Sequence, residues 1–449
     1  MRTSRKNSEG KGAFLKGAIW IAAGGLIAKI IGALYRIPLT NYIGGKGLGL
    51  YQMVYPAYCL LLTVSATGIP SSIAKLTAER IARKQGDRAV FRTAMKLFLV
   101  VGGVGGVLLA VIAPFLASAQ GSESVLGGYY TLAPSVFLVS AISVFRGWFQ
   151  GRNKMYPTAL SEITEQAVKV GVGLFFAQRF QNQVEKAVVY LLLAVSISEL
   201  VALLLMIFLY KREGKIGEKI KNEGGMVAMK TILRLSIPVT FNSLLIPLSG
   251  LLDSILAPRL LGVYATDAVT LYGLFSGGAV TIINLPVSVC YGIAAASIPR
   301  VAAAHEKGAG VRKRIFFSLG ITALVGGVSA VGLYFFADPA AKIIFRSLKG
   351  EELSTLIRLV RVFAVSAFTL SCAQTLSACL TAQGKPQYAA LSMLMAVTIK
   401  TGLYIFLLKN PTLSVFGLAY ATNICYLVAF LLDLVYNLIV SRKKKRTKE

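Results

Sequence analysis

Several ionisable side chains stand inside long apolar runs of this sequence, and they are the residues best placed to do chemistry. Lys29 and Arg36 are seven residues apart, about two helical turns, so they share one helix face. Lys169 follows Glu165 by about one turn, and Lys400 lies in the middle of another apolar run. Basic side chains bind phosphate and carboxylate groups through charge-assisted hydrogen bonds. The pattern therefore predicts a site for an anionic ligand.

The remaining candidate substrate-binding residues are Arg259, Asp253 and Asn242. Some candidates have a second interpretation. Glu165 and Lys169 stand in the favourable i,i+4 order, which is equally consistent with an internal salt bridge. Arg36 and Arg259 lie near the ends of their apolar runs, where long side chains also reach out to lipid headgroups. Asn242 is suited to hydrogen-bond a sugar or to bridge two helices.

Other kinds of site are disfavoured by composition. The only histidine is His305, so no multi-histidine metal site can form. The five cysteines all fall inside apolar runs, without metal-ligand spacing, which predicts buried free thiols. We expect no metal, no resident cofactor and no catalytic residue. The sequence has no Walker motif, so direct use of ATP is not supported, and coupling to an ion or to the membrane potential stays open.

The apolar runs themselves indicate a membrane protein. Of the 449 residues, 55% are hydrophobic and 15% are charged, whereas soluble domains carry about 25% charged residues. The 48 Lys and Arg against 19 Asp and Glu give a formal net charge of +29. Such charge is also typical of nucleic-acid binders, but apolar runs of about 20 residues recur from end to end. The charge is better explained by the positive-inside bias of a membrane protein, with no nucleic-acid partner.

Hydropathy predicts an all-α integral membrane protein with about twelve transmembrane helices. The predicted spans lie near 13–36, 48–68, 94–117, 127–149, 157–177, 187–210, 231–256, 268–296, 315–337, 354–379, 387–408 and 413–439. Roughly two-thirds of the Lys and Arg fall in the two tails and the even-numbered loops. Both termini are therefore expected in the cytoplasm.

Short strings recur in the two halves of the chain in the same order. Gln150–Gly151 recurs at Gln383–Gly384, and the run 159–161 recurs at 390–392, which places Lys169 opposite Lys400. Because six helices per repeat preserve orientation, the repeats are parallel, and two pseudo-symmetric six-helix lobes are expected around a central cavity. The predicted segments are a cytoplasmic tail (1–12), an N-lobe (13–210), a basic cytoplasmic linker (211–230), a C-lobe (231–439) and a basic cytoplasmic tail (440–449). This architecture is typical of transporters that work by alternating access.

The chain also resembles a known family. The strings ALYRIPLTNYIGGKGLGLYQMVYPAY (33–58), TGIPSSIAKLTAER (67–80), FRGWFQGRNKMYPTALSEITEQAVKV (145–170), SIPVTFNSLLIPLSGLLDS (236–254) and LTAQGKPQYAALS (380–392) cover both halves. They are similar to flippases of the multidrug/oligosaccharidyl-lipid/polysaccharide exporter (MOP) superfamily. The resemblance is to the stage V sporulation protein B branch and to its relatives, the MurJ lipid II flippases.

The resemblance implies a transporter, not an enzyme, that flips undecaprenyl-linked saccharide precursors across the bacterial cytoplasmic membrane. Its partners would be the anionic lipid-linked substrate and membrane lipids. In MurJ-like relatives basic residues of the first helix line a cationic cavity. Their R-x-x-G-x-x-R pattern appears here as Lys29 and Gly32, followed by Arg36 one residue later.

Two other functions compete with the flippase. A drug or cation antiporter of the same superfamily would need an acidic cavity, but the first half places Lys29 and Lys169 beside Glu162, Glu165 and Glu199. A membrane glycosyl- or acyltransferase would need a catalytic His or paired carboxylates at a membrane face. The flippase is the favoured prediction, with the antiporter as the alternative.

Overall fold

The structure, a computed structural model, describes residues 31–32, 35–214, 229–307 and 310–446. These residues form helices joined by short turns, and none of the described ranges contains a β-strand. Inside a bilayer every backbone polar group needs an internal partner, and a helix provides one along its whole interior. The prediction of an all-α membrane protein is confirmed. The tail 1–12, most of the first predicted span and most of the 211–230 linker lie outside the described residues.

The helices follow one another with little intervening chain. The first six are α1 (35–62, leading into a π-helical turn at Thr63–Thr67), α2 (Ile69–Ala82), α3 (Arg88–Gln120), α4 (Leu126–Gly151), α5 (Tyr156–Arg179) and α6 (Val184–Gly214). The next five are α7 (Met229–Ser243), α8 (Leu245–Leu261), α9 (Ala268–Gly273), α10 (Val280–Lys307) and α11 (Val311–Phe335). The last five are α12 (Ala337–Ile344), α13 (Gly350–Phe363), α14 (Val365–Ala382), α15 (Pro386–Leu407) and α16 (Phe416–Arg446).

Within the described ranges, nine helical runs are long and apolar enough to cross a membrane, and they match nine of the twelve predicted spans. The other three have separate explanations. The first span lies mostly outside the described residues. Helix α5 is 24 residues long but carries Glu162, Glu165 and Lys169, which lower its mean hydropathy. The span predicted at 231–256 is divided into α7 and α8.

The helix boundaries correct the predicted ones at two places. The span predicted over 231–256 is not one continuous helix, because it is interrupted at Leu244. Pro247 explains the break, since it has no N–H to donate to the carbonyl of Ser243 and its ring crowds that carbonyl. The loop expected between residues 36 and 48 is also wrong, because that stretch is helical. Within that stretch only Gly44 departs from right-handed helical backbone angles. Its φ is +63°, in the left-handed region that glycine tolerates.

The chain divides into two compact units. Unit 1 comprises Met1–Ile43, Val54–Ser118 and Ser122–Leu248. Unit 2 comprises Gly44–Met53, Ala119–Gly121 and Ser249–Glu449. Helix α7 therefore belongs to unit 1, whereas the predicted lobe boundary lies before it, in the 211–230 linker.

Unit 1 is held together by close helix contacts and an aromatic cluster. A Cβ at Gly102 of α3 would lie 2.4 Å from the Ser140 hydroxyl of α4, and one at Gly106 would lie 2.7 Å from the Ala133 carbonyl. Glycines thus let these two helices approach closely, as small residues do in membranes. In the aromatic cluster, Phe91 of α3 stacks on Tyr210 of α6 with ring centroids 4.4 Å apart. These contacts fix α3, α4 and α6, two of which carry charged residues of the site.

Unit 2 has a core built around α14. Helices α10, α11 and α16 pack against it, with buried side chains from Val301, Ile315, Leu376 and Cys379. The hydroxyls of Thr322 and Thr375 join α11 to α14 at 2.9 Å. The five cysteines are free thiols, and all but Cys59 are fully buried, as the sequence predicts.

Candidate functional site

The charged side chains of unit 1 converge from four helices. We call the unit 1 cluster the set formed by Arg36 (α1), Arg146 (α4), Glu165 and Lys169 (α5) and Glu199 (α6). The two α5 residues share one face because they stand one turn apart. The sequence indicates four of these five as charged residues of interest but does not single out Arg146. The signal for Arg146 was an arginine inside the apolar run 127–149.

Helix α1 approaches α5 closely, which places Arg36 near Lys169. A Cβ at Gly173, one turn beyond Lys169, would lie 2.2 Å from the Tyr35 hydroxyl. The Tyr35 side chain therefore rests directly on the backbone of α5. A Cβ at Gly32 would lie 3.4 Å from the Gln166 side-chain oxygen. Glycine at these two positions allows α1 and α5 to pack closely. As a result the charge of Arg36 acts on Lys169.

Glu165 is held by Arg146 and not by its neighbour on α5. The Arg146 guanidinium lies 3.1 Å from Glu165 Oε2 and donates from Nε to the Ser161 hydroxyl at 2.9 Å. Both charged side chains are largely buried. The internal salt bridge between Glu165 and Lys169, which the sequence left open, does not form within 4.0 Å in the described part of unit 1.

Lys169 is consequently a partly buried cation without a direct partner. It interacts electrostatically with Glu165, Glu199 and Arg36. Across the described residues, no hydrogen-bond acceptor or carboxylate contacts its ammonium group. An unpaired ammonium inside an apolar helix bundle costs free energy, because its charge is removed from water. Such residues mark substrate or ion pathways.

Glu199 is the most buried member of the cluster, with 4% of its surface exposed. The hydroxyl of Tyr58, itself buried, donates to Glu199 Oε1 at 3.5 Å. Among the described residues, Oε2 has no hydrogen-bond donor. Glu199 has the like charge of Glu165 and the opposite charges of Arg146 and Lys169 as its electrostatic neighbours.

The unit 1 cluster contains three cations and two carboxyl groups, so with all groups charged it has one positive charge in excess. Arg146 and Glu165 form an ion pair, and Lys169 interacts electrostatically with Glu165, Glu199 and Arg36. Ammonium and guanidinium groups bind phosphate oxygens well. The arrangement is chemically suited to hold an anionic group of phosphate type.

Unit 2 surrounds its central lysine differently. Lys400 of α15 is 3% exposed, and its ammonium lies 2.7 Å from Oδ1 and 2.8 Å from Oδ2 of Asp253 on α8. It also donates to the Ser249 hydroxyl at 2.5 Å and stands 5.4 Å from the Tyr404 ring. Lys400 has no acidic neighbour in sequence, but the fold supplies Asp253. This ion pair is neutral, and its ammonium donates hydrogen bonds to Asp253 Oδ2 and to the Ser249 hydroxyl.

The other predicted site residues are not gathered with either group. Arg259 lies in the last turn of α8 with an exposed side chain. Asn242 lies in α7, but its side chain is outside the described residues, as is the whole of Lys29. No set of three or more His, Cys, Asp or Glu residues in the described ranges is placed to hold a metal ion.

A chain of long apolar helices with ionisable groups buried inside two helical units has the architecture of a membrane transporter. Solved structures share this fold. The inward-facing conformation of a multidrug resistance MATE family transporter of the MOP superfamily aligns with a TM-score of 0.76 and 18% identity, over 93% of this chain and 100% of that one. Lipid II flippase MurJ in its inward closed conformation aligns with a TM-score of 0.73 and 13% identity, over 95% of this chain and 90% of that one.

Sequence comparison gives the family. Residues 14–305 match the family described as Polysaccharide biosynthesis protein. Stage V sporulation protein B of Bacillus subtilis (strain 168) is 29% identical over 429 residues, or 92% of this chain and 81% of that protein. Lipid II flippase MurJ of the same organism is 26% identical over 264 residues, or 54% of this chain and 48% of that protein. The chain belongs to the polysaccharide biosynthesis protein family and is a multi-pass membrane transporter of the MOP superfamily.

Proposed function

We propose that this protein flips undecaprenyl-linked saccharide precursors from the inner to the outer leaflet of the bacterial cytoplasmic membrane. Its family and the name of its relative, lipid II flippase MurJ, support this substrate class. The substrate combines a long apolar tail with a phosphate or pyrophosphate and a sugar. Such a molecule crosses the bilayer only if its charged headgroup finds compensating charge inside the protein.

The observation that carries the proposal is the positive excess of the unit 1 cluster, with Lys169 unpaired in the described structure. In our proposal Lys169 and Arg36 bind the phosphate oxygens of the headgroup. Arg146 and Glu165 hold each other and keep the face of α5 in place. Lys29, seven residues before Arg36 on the same predicted helix face, would extend the anionic site, and Arg259 and Asn242 remain candidates for contacts with the headgroup or sugar.

The membrane arrangement is part of the same proposal. Two parallel six-helix lobes, 13–210 and 231–439, would open a central cavity alternately to each side, with both termini in the cytoplasm. The basic linker 211–230 and the C-terminal tail would contact anionic lipids of the inner leaflet.

Flipping is testable with the full chain in lipid vesicles that contain fluorescent lipid II. A membrane-impermeant quencher reports how fast the label moves between leaflets. We expect vesicles with the protein to flip the label and Lys169→Ala to lower the rate at least about tenfold, since one headgroup contact is worth about 1.4 kcal/mol or more. Lys186, exposed at the start of α6, gives the matched control, and Lys186→Ala should flip at the normal rate.

Full flipping by Lys169→Ala would contradict the assignment of the site. Absence of flipping by the unmodified protein, with lipid II and with other undecaprenyl-linked saccharides, would contradict the substrate class. Rescue of a strain depleted of its lipid II flippase would identify lipid II as the physiological substrate.

One observation favours the alternative, a drug or cation antiporter. Glu199 places a buried carboxyl with an unoccupied oxygen in the unit 1 cluster, and a cationic ligand would need such a group. The same vesicles loaded with a cationic dye distinguish the two functions. An antiporter would expel the dye in a Glu199-dependent manner, whereas a flippase would move only the lipid-linked anion.

A further inference from the structure

Unit 2 contains a second carboxyl group inside an apolar helix, 33 residues after Lys400. Asp433 lies in the middle of α16 and is 3% exposed. It stands nine residues, or about 13–14 Å of helix, before Arg442, where the basic end of α16 begins. Asp433 is thus within the apolar part of the helix and not at its charged end.

The polar groups beside Asp433 form a small network that has more acceptors than donors. Asn437, one turn later, donates from Nδ2 to the backbone carbonyls of Asp433 and Leu376, at 2.8 and 3.0 Å. Its side-chain oxygen accepts from Gln383 Nε2 at 2.8 Å. Every donor of Asn437 is therefore used, and none is directed at the Asp433 carboxyl.

Two oxygens of this network have no donor among the described residues. They are Oδ1 of Asp433 and Oε1 of Gln383, and both side chains are about 97% buried, each with 3% of its surface exposed. The Ser392 hydroxyl on α15 faces the Asp433 carboxyl but also donates to its own helix, to the Tyr388 carbonyl at 3.0 Å. One hydroxyl with a competing acceptor does not satisfy a carboxylate.

The helices around α16 supply no positive charge to Asp433. Val301, Ile315, Leu376 and Cys379 pack against the Phe430 and Leu434 side chains of α16. The titratable groups nearby are the Cys379 thiol and the phenols of Tyr388 and Tyr436, which are uncharged near neutral pH. Lys385 points to the exterior and is exposed. In the described part of unit 2, no Lys, Arg or His lies within 4.0 Å of the Asp433 carboxylate.

The contrast with Asp253 in the same unit is direct. The carboxylate of Asp253 has the Lys400 ammonium 2.7 Å from Oδ1 and accepts a hydrogen bond from it at Oδ2, so its charge is compensated. Asp433 has the geometry of an acid whose charge nothing compensates. A proton bound to Asp433 removes the negative charge of its carboxylate. It also turns one carboxyl oxygen into a hydrogen-bond donor, and the network lacks such a donor.

We propose that Asp433 is a proton-binding site and that its loading and release are coupled to the transport cycle. The coupling of Asp433 to transport rests on the proposed transport function, whereas proton binding by Asp433 does not. Loading adds one proton from water to a carboxylate oxygen and removes one negative charge from the apolar interior. Release returns the proton to water, and it requires a conformation in which water or a cation reaches the carboxylate.

Proton binding is tested by infrared spectroscopy of the purified full chain in lipid nanodiscs, with aspartate side chains isotope-labelled. We expect a C=O stretching band of a neutral carboxylic acid at about pH 7, lost in Asp433→Asn. Asp338 gives the control, since it is exposed and paired with Lys342 at 2.8 Å, and Asp338→Asn should leave the band unchanged. If Asp433→Asn does not fold, Asp433→Glu should replace the labelled-aspartate band with one from an unlabelled acid. A labelled band that persists in Asp433→Asn or Asp433→Glu would overturn the site.

Coupling is tested in vesicles with fluorescent lipid II and an imposed pH gradient. We expect the gradient to change the flipping rate of the unmodified protein and of Asp338→Asn, and to have no effect on Asp433→Asn. An equal response of Asp433→Asn and the unmodified protein would overturn the coupling. If lipid II is not flipped at all, the substrate proposal fails, while the infrared band still decides proton binding.

Discussion

Lys169 in unit 1 and Lys400 in unit 2 occupy matching positions in the two predicted repeats, each two residues before a glycine. Their surroundings differ. Lys400 is enclosed by Asp253, Ser249 and the Tyr404 ring. Lys169 has no direct partner in the described structure and shares its cluster with two further cations. The unit 2 lysine is paired with a carboxylate, whereas the unit 1 lysine has no direct partner among the described residues.

The difference indicates which lysine is structural and which is functional. A buried cation that is paired and hydrogen-bonded contributes to a defined fold, and removing either partner leaves the other charge uncompensated. A cation without a direct partner inside a membrane protein is costly, and such residues mark substrate or ion pathways. Whether Lys400 and Asp253 also touch substrate stays a prediction, but their geometry favours a structural role.

The largest effect is expected from breaking the unit 2 ion pair. Lys400→Ala leaves Asp253 buried without a countercharge and should lower the free energy of unfolding by about 3–5 kcal/mol. Thermal unfolding of the purified protein measures this. The double variant Lys400→Met with Asp253→Leu should regain most of the stability, because apolar residues of similar volume replace a buried pair at little cost. Equal losses in the single and double variants would show that the pair is not the source of the effect.

The next largest effect is expected at the lysine of unit 1. Lys169→Met should leave the unfolding temperature nearly unchanged, because no direct ion pair is broken and the removal of a costly charge from the apolar interior offsets the lost attraction to Glu165 and Glu199. Flipping should nevertheless fall at least about tenfold, equivalent to about 1.4 kcal/mol. Parallel stability and flipping measurements test this. A loss of stability as large as that of Lys400→Ala would show that the two lysines are equivalent.

A smaller effect is expected at Arg146. Arg146→Lys keeps the charge but cannot contact both Glu165 and Ser161 with one planar group. We expect a loss of about 1 kcal/mol in stability and a several-fold loss in flipping, because Glu165 is then free to pair with Lys169. Adding Glu165→Gln should restore part of the flipping rate. No restoration would mean that Arg146 acts on the substrate itself.

The smallest effect is expected at Tyr58. The hydroxyl reaches Glu199 at 3.5 Å, which is long for a hydrogen bond, so Tyr58→Phe should cost about 0.5 kcal/mol or less in stability. Thermal unfolding of the Tyr58→Phe protein checks this. A cost of about 2 kcal/mol would show that the hydroxyl, and not the neighbouring cations, stabilises Glu199.

Much of the fold was predictable because the bilayer imposes it. A span needs about 20 apolar residues, and nine of the predicted spans are recovered within the described residues. The failures are local. Pro247 sits inside an apolar run and hydropathy does not register the break that it causes at Leu244. Gly44 replaces a predicted loop with one left-handed residue between helical segments.

The candidate site was predictable only in part, because pairing depends on which helices meet. The sequence indicates the charged residues within spans, including Lys169, Glu165 and Lys400. It does not show that Asp253, 147 residues from Lys400, closes the ion pair. Nor does it show that Arg146 on α4, and not Lys169 one turn away, binds Glu165. Spacing along one helix is readable, but contacts between helices require the fold.

The most direct test is the affinity of the full chain in nanodiscs for undecaprenyl pyrophosphate, measured for the unmodified protein, Lys169→Ala and the Lys400→Met, Asp253→Leu double variant. If the unit 1 cluster binds the anionic headgroup, Lys169→Ala should weaken binding at least about tenfold, and the double variant should bind within about twofold of the unmodified protein. Unchanged binding by Lys169→Ala, with binding lost in the double variant, would contradict the assignment and place the headgroup in unit 2.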